Sequence, residues 1–209
     1  RPRSKNGIST IGEWLETATS TEAILSRVRV FPEIDYHGKN KLLVGFQPYR
    51  KCLPHVRKYA QCMKILVTVT EVAEADDEFE ISGTSIADQY LTYDLNEWDD
   101  YAIEEAVQLS EEHDDIEVVT VTFGAERVEE TIRTALAKGA DRAIRVWDDS
   151  FEGKTVLDPS QKAELLAGVV EEEDPDLVLS GVQSGDVAIG ATGVALAENI
   201  GYEWAAVVN

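Results

Sequence analysis

The chain has 209 residues and a net charge of −21, enough length for one domain with a sizeable core. So large an acid excess repels nucleic acid and anionic lipid, which excludes both as partners, and no apolar run approaches the ~20 residues of a membrane span. The charge is also split: residues 1–62 hold eleven Lys/Arg against five Asp/Glu (+6), residues 63–209 eight against thirty-five (−27).

The break falls on Met63, the only methionine. The expectation is a native start there, with 1–62 a basic N-terminal extension of upstream or fused sequence, disordered and outside the fold. Arg1, Arg3 and Lys5 would suit a transit peptide, but the acids and Trp14 that follow suit it poorly. In the extension Lys41 to Phe46 reads as a strand, and Trp14 to Leu25 is too threonine-rich for a good helix. His37, His55 and Cys52 do not form a metal-ligand spacing. Both cysteines, Cys52 and Cys62, lie in this segment, so the acidic body has neither disulfides nor cysteine metal sites. With no secretory signal the expected location is cytoplasmic. The acid excess, with the body's lysines reduced to Lys64, Lys138, Lys154 and Lys162, is that of a halophilic protein of haloarchaeal type, its self-repulsion screened by salt.

From Met63 the pattern becomes regular. Lys64 to Thr70 reads as a strand buried on both faces. An acidic excursion follows to Asp94, and the alternation Glu78 to Ile81 before Ser82-Gly83 predicts a small surface hairpin. Asp94 and Glu97 have capping-box spacing, after which Leu95, Trp98, Ala102, Ala106 and Leu109 recur at helical spacing. Its end carries His113, the body's only histidine, which reads as a solvated helix terminus. Glu117 to Phe123 is a second strand. Val128 to Lys138 is a helix with acids in its first turn, Lys138 in its last and Gly139 just beyond. Ala143 to Trp147 is a third strand. Asp158-Pro159 opens another helix at N-cap and N1.

Leu177 to Leu179 reads as a fourth strand covered on both faces, ending in Ser180-Gly181. Gly185, Gly190 and Gly193 come next, then an apolar helix closed by Gly201; Ala205 to Val208 would begin a fifth strand. Strands alternating with helices predict an α/β fold, a Rossmann-like doubly wound parallel sheet, for 63–209. Ligands of such sheets bind beyond the carboxyl ends of the strands. That crevice should gather Thr68 to Thr70, the Asn96 helix start, Phe123-Gly124 and the 181–193 loop. Two readings of the glycines are open: close packing of helix on strand, or backbone amides left bare for a phosphate. Asn96 either caps its helix or contacts a ligand, and Asp186 is either a surface acid or a ribose ligand. Ser184 and Thr192 also suit hydrogen bonds to a ribose or phosphate. No nucleophile has an evident base, so a hydrolase or synthetase is disfavoured.

Three motifs carry a family resemblance. Leu95-Asn96-Glu97-Trp98-Asp99 with Ala102 to Ala106, Val121 to Gly124 with Glu130 to Ala143, and Asp176 to Gln183 together resemble the electron transfer flavoprotein beta subunit. The resemblance implies an electron carrier, not an enzyme: a heterodimer with the alpha subunit that takes electrons from flavin-dependent dehydrogenases to a quinone oxidoreductase at the membrane. The working FAD would sit largely on the alpha subunit, and the beta subunit would bury AMP, or a second FAD in bifurcating relatives. Nucleotide contacts would fall on Thr68, Asn96, Phe123, Gln183, Ser184, Asp186, Gly190, Thr192 and Gly193. The family's Asn-Gln-Thr-Gly is here Gly190-Ala191-Thr192-Gly193, so two side-chain contacts are missing, and Val187 and Thr70 replace an acid and a lysine. The family's last strands and partner-recognition loop would lie past Asn209, which reads as C-terminal truncation. The rival reading is a stand-alone ATP- or AMP-binding regulator of the universal-stress-protein kind.

Overall fold

The computed structural model describes residues 63–148, 151 and 157–207, with the backbone of 28–31. Val28–Phe31 forms β1, a strand the sequence reading did not anticipate; the expected strand at 41–46 and the segment 14–25 lie outside the described residues. Next come β2 (Met63–Val69), β3 (Glu71–Ala75), the two-residue pair β4 (Ile81–Ser82) and β5 (Ser85–Ile86), and β6 (Leu91–Leu95). After these the chain alternates: α1 (Glu97–Glu112), β7 (Ile116–Phe123), α2 (Glu129–Ala137), β8 (Arg142–Val146), α3 (Pro159–Glu173), β9 (Leu177–Ser180) and α4 (Thr192–Ile200).

The main sheet has the order β1-β8-β7-β2-β9. β8, β7, β2 and β9 are parallel, and β1 pairs antiparallel with β8, Val28 opposite Val146. Both faces are covered, which is why β2 reads as a continuous apolar run. Leu66, Val119, Val121, Ile144 and Val146 point to α3 and α4, meeting Ala163, Leu166, Val169, Val170 and Leu196. Ile65, Val67, Val69 and Val118 point the other way, to Ile103 and Ala106 of α1 and Ala135 of α2. Alternate side chains of one strand thus feed two cores.

The excursion between β2 and α1 is the expected hairpin, longer at its base and shorter at its tip. β3 and β6 pair over five residues, and only Ile81–Ser82 and Ser85–Ile86 pair at the end, around Gly83. Arg127 anchors the arm: its Nε lies 2.7 Å from Glu71 Oε1 and its guanidinium 3.5 Å above the Tyr93 ring.

Three boundaries correct the sequence reading. Asp94 stays in β6, where its carboxylate accepts from the Leu95 N–H at 2.7 Å, so the N-cap of α1 is Asn96 and there is no Asp94–Glu97 capping box. β9 is half-buried rather than fully covered, because it lies at one edge of the described sheet. Ala205 to Val207 is exposed and pairs with nothing among the described residues, so the fifth strand is not formed there; Val208 lies outside them. A strand without a neighbour leaves its amides unpaired, which removes the reason to be extended. By contrast α3 begins as read, with Asp158 Oδ1 accepting from Gln161 N at 2.9 Å and Gln161 returning a bond to the Asp158 N–H. His113 is exposed at the C-cap of α1.

At the N-terminal ends of the strands sits an ion network. Arg142 donates to both oxygens of Glu173 (3.0 and 2.6 Å) and to Glu117 (3.0 Å), and Lys64 to Glu173 (2.9 Å). Burial alone would raise the Glu173 carboxyl; the Arg142 and Lys64 bonds outweigh it and hold it below its usual value. This network stitches β2, β7, β8 and α3 together at the edge opposite the cleft described next.

Candidate functional site

The connections from β2 through β7 to β8 run one way across the sheet, and β9 then returns to the other side of β2. The sheet order therefore reverses beside β2, which opens a crevice at the carboxyl ends of β2 and β9. Thr68–Thr70, Asn96, Asp99, Phe123, Pro159, Lys162 and the stretch 180–184 are among its walls, together with Gly190–Gly193. Counting its solvent-filled mouth, it encloses about 840 Å³.

Asn96 fixes the loop that roofs this cleft. Its Nδ2 donates to Gln183 O at 2.9 Å, and its Oδ1 accepts from Gly185 N at 3.2 Å. Both ends of the amide are used, and neither caps α1, so the residue is a loop staple and not a helix cap. Behind it, Ala188 N donates to Ser184 O at 3.0 Å, and Gly190 turns the chain at φ +64. A Cβ at Gly190 would also meet Val182 O at 3.0 Å, so the loop needs glycine there. Asn96→Ala would remove both bonds from the half-buried Gln183 carbonyl and the exposed Gly185 amide, which water can partly replace. The expected loss is about 0.5–1.5 kcal/mol, read as a lower urea midpoint, with faster amide exchange at residues 183–190 than in the sheet.

Asp99 ties the two strand tips together from the first turn of α1. Its Oδ2 accepts from Thr70 N at 2.8 Å and its Oδ1 from Gly181 N at 3.0 Å. Burial pushes its carboxyl up to about 6, while hydrogen bonds with Asn96, Thr70 and Gly181 keep it from rising further. Gly181 has no alternative here, since a Cβ would lie 2.8 Å from the Asp99 nitrogen and against its carboxylate.

At the far side α4 starts without a side-chain cap. Its first intrahelical bond is Ala195 N to Ala191 O, so the N–H groups of Thr192 and Gly193, both cleft residues, donate to no carbonyl of their own helix. Backbone donors and the positive end of a helix thus face the cleft, an arrangement suited to an anion.

The structure brings together Thr68, Asn96, Phe123, Gln183, Ser184, Gly190, Thr192 and Gly193. Phe123 does so while packed with Trp147 and Phe151, ring centroids 5.6 and 5.4 Å away. Asp186 is the exception: it is exposed outside the cleft walls, and its carboxylate accepts from the neighbouring Val187 N at 2.7 Å. Sequence reasoning missed Asp99, Lys162 and Leu157 as cleft residues, whereas Val187 and Ile189 fall in the 181–193 loop it had placed there. The only available signal for Asp99 was its place three residues after Asn96, in the first turn of a helix aimed at the crevice. Among the described residues no group of His, Cys, Asp and Glu is placed to hold a metal ion, and no helix is long and apolar enough to cross a membrane.

The fold and its crevice define a parallel α/β domain of the doubly wound type, with a polar ligand cleft at the point where strand order reverses. The model of the electron transfer flavoprotein domain matches residues 83–209. The chain is 46% identical over 149 residues to the electron transfer flavoprotein subunit beta of Methylophilus methylotrophus, covering 70% of this chain and 55% of that protein. The beta subunit from Syntrophomonas wolfei is 34% identical over 139 residues (66% and 53% covered), and the human one 37% over 133 (63% and 52%). The chain belongs to the electron transfer flavoprotein family, and these relatives are beta subunits. It spans about half the length of the curated relatives it matches.

Proposed function

We propose that the chain is the beta subunit of a heterodimeric electron transfer flavoprotein, whose cleft holds AMP as a structural nucleotide. In this reading FAD is carried by or shared with the alpha subunit. The complex passes electrons from flavin-dependent dehydrogenases to a quinone oxidoreductase. The domain is residues 63–209 with Val28–Phe31 added as an edge strand of its sheet, and the acid-rich composition adapts it to salt in the cytoplasm.

One observation carries the nucleotide part. The loop 181–193 is stapled over the strand tips by Asn96, while the amides at the start of α4 stay unpaired and face the cleft. Thr68, Ser180 and Ser184 add hydroxyls along the same walls, suited to ribose and phosphate oxygens. Nothing in this set attacks a bond. The walls hold a ligand still, which is what a brace between subunits needs.

The test is co-expression of the chain with the alpha subunit of the same organism, purification in concentrated salt, and chromatography of what heat releases. A yellow heterodimer that yields stoichiometric AMP is expected. Stoichiometric extra FAD would place a second flavin in the cleft instead, and a colourless ATP-binding homodimer would overturn the reading.

A further inference from the structure

The cleft carries a cation that the described residues leave without a partner. Lys64, Arg127, Arg133, Lys138 and Arg142 all meet carboxylates within 4 Å. Among the described residues Lys162 and the buried Arg145 meet none, and Lys162 is the only lysine or arginine in the cleft walls. Residues 63–209 hold thirty-five acids against eight bases, so an unpaired lysine is unusual on this surface.

Its position on the helix is unfavourable by itself. Pro159, Lys162 and Leu166 fall on one face of α3, turned to the cleft. Lys162 is therefore the fourth residue of a helix, near the positive end, where a carboxylate would be the stabilising choice. The other helices of the body follow that rule: α1 begins with Glu97, Asp99 and Asp100, and α2 with Glu129 and Glu130. α3 and α4, the two that reach the cleft from the same face of the sheet, have no acid in their first turns. Asp158 caps α3, but its carboxylate is turned back onto Gln161 N and is not a wall of the cleft. Among the described residues Asp99 is the one carboxylate in the walls, and each of its oxygens already accepts a backbone amide. Positive potential is thus concentrated on one side of the cleft, from Lys162 and two helix starts.

We infer that Lys162 is the counter-charge for a phosphate monoester seated at the start of α4, so that the cleft takes a nucleotide and discriminates against the neutral nucleoside. This rests on the nucleotide reading above and adds to it the residue that reads the ligand's charge. An ammonium on a flexible stem suits a phosphate as a point charge, and its direct contact with the anion is screened by salt less than a distant field would be.

The experiment compares the full chain with Lys162→Gln and Lys162→Arg by calorimetric titration with AMP and with adenosine, after bound nucleotide has been removed. Lys162→Gln should weaken AMP roughly tenfold while adenosine changes less than about twofold. Lys162→Arg should keep most of the AMP affinity. The AMP affinity of the native chain should also fall more steeply with salt than that of Lys162→Gln. Lys162 is half-exposed, and an unchanged melting temperature verifies that the variants fold. Equal AMP affinity in native and Lys162→Gln chains would overturn the role of Lys162 and leave the nucleotide reading standing. Equal losses for AMP and adenosine would reduce Lys162 to a packing role. Failure of the native chain to bind either ligand would overturn both.

Discussion

Gly181→Ala is expected to lower stability by about 3 kcal/mol, combining the overpacking of a filled site with the loss of a buried charged hydrogen bond. The added Cβ would sit 2.8 Å from the Asp99 nitrogen and from the Trp98 carbonyl carbon, and against the Asp99 carboxylate. That peptide unit belongs to the backbone of α1 and cannot swing away as a flexible side chain would. β9 must move off α1, and the bond from Gly181 N to Asp99 is the first to break. For a body of this size such a loss lowers the melting temperature by roughly 10 °C. Gly185→Ala supplies the contrast. Nothing lies within 4 Å of its Cβ and its φ is not in the left-handed region, so it should be neutral or slightly stabilising. Melting both variants in the same salt decides the matter. A Gly181→Ala protein that melts within about two degrees of the native one, well inside the shift expected for 1 kcal/mol, would show that the α1–β9 contact is loose.

The sheet was legible because its physics is local. β2, β7 and β8 must be apolar on both faces, so runs such as Ile116 to Phe123 declare themselves without knowledge of their neighbours. Helix ends were legible where chain geometry alone decides them, as at Asp158-Pro159 and at Gly201 with φ 71. What failed depended on a partner far along the chain. Asp94 and Glu97 have the spacing of a cap, yet β6 pairs with β3 and holds Asp94 in the strand. Asn96 could be named from its position, but its role is set by Gln183 and Gly185, 87 and 89 residues away.

The acids were the hardest to read. Among thirty-five carboxylates, Asp99 and Asp186 look alike in one dimension. Asp99 is buried only because β9 crosses over to lie beside β2 and brings the Gly181 amide to it. Asp186 lies within the named loop and beside the stapled Gly185, but at a bend that leaves it in solvent. Lys162 was hidden for the converse reason. A single lysine on a polar helix face reads as solubilising until the cleft shows which face it shares. The glycines needed the structure too, since Gly181 and Gly185 are equivalent in the sequence and opposite in their surroundings.

Asp99→Asn is expected to change how stability depends on pH, and the sign follows from burial. The native carboxyl is pushed up to about 6 from 3.8, so the folded chain holds its proton more tightly than the unfolded chain does. The group's contribution is then fully present below about pH 4 and is lost as pH rises through 6, a change of about 3 kcal/mol. The amide in the Asp99→Asn variant does not titrate, and every other carboxylate is common to both chains. The native advantage over Asp99→Asn should therefore be largest near pH 4 and shrink by about that amount by pH 7. Urea titrations of the two proteins at half-unit steps from about pH 4 to 8, in one salt concentration, give this difference directly. A difference that grows with pH would mean that two amide donors and the start of α1 outweigh the loss of water around the carboxylate. Asp99 would then act as a permanent anion that holds the tips of β2 and β9 together, and the cleft would be most rigid where the acid is charged. A shrinking difference has the opposite consequence. The cleft is then held at neutral pH by a carboxylate kept ionised against its burial, and mild acid should tighten the fold around it.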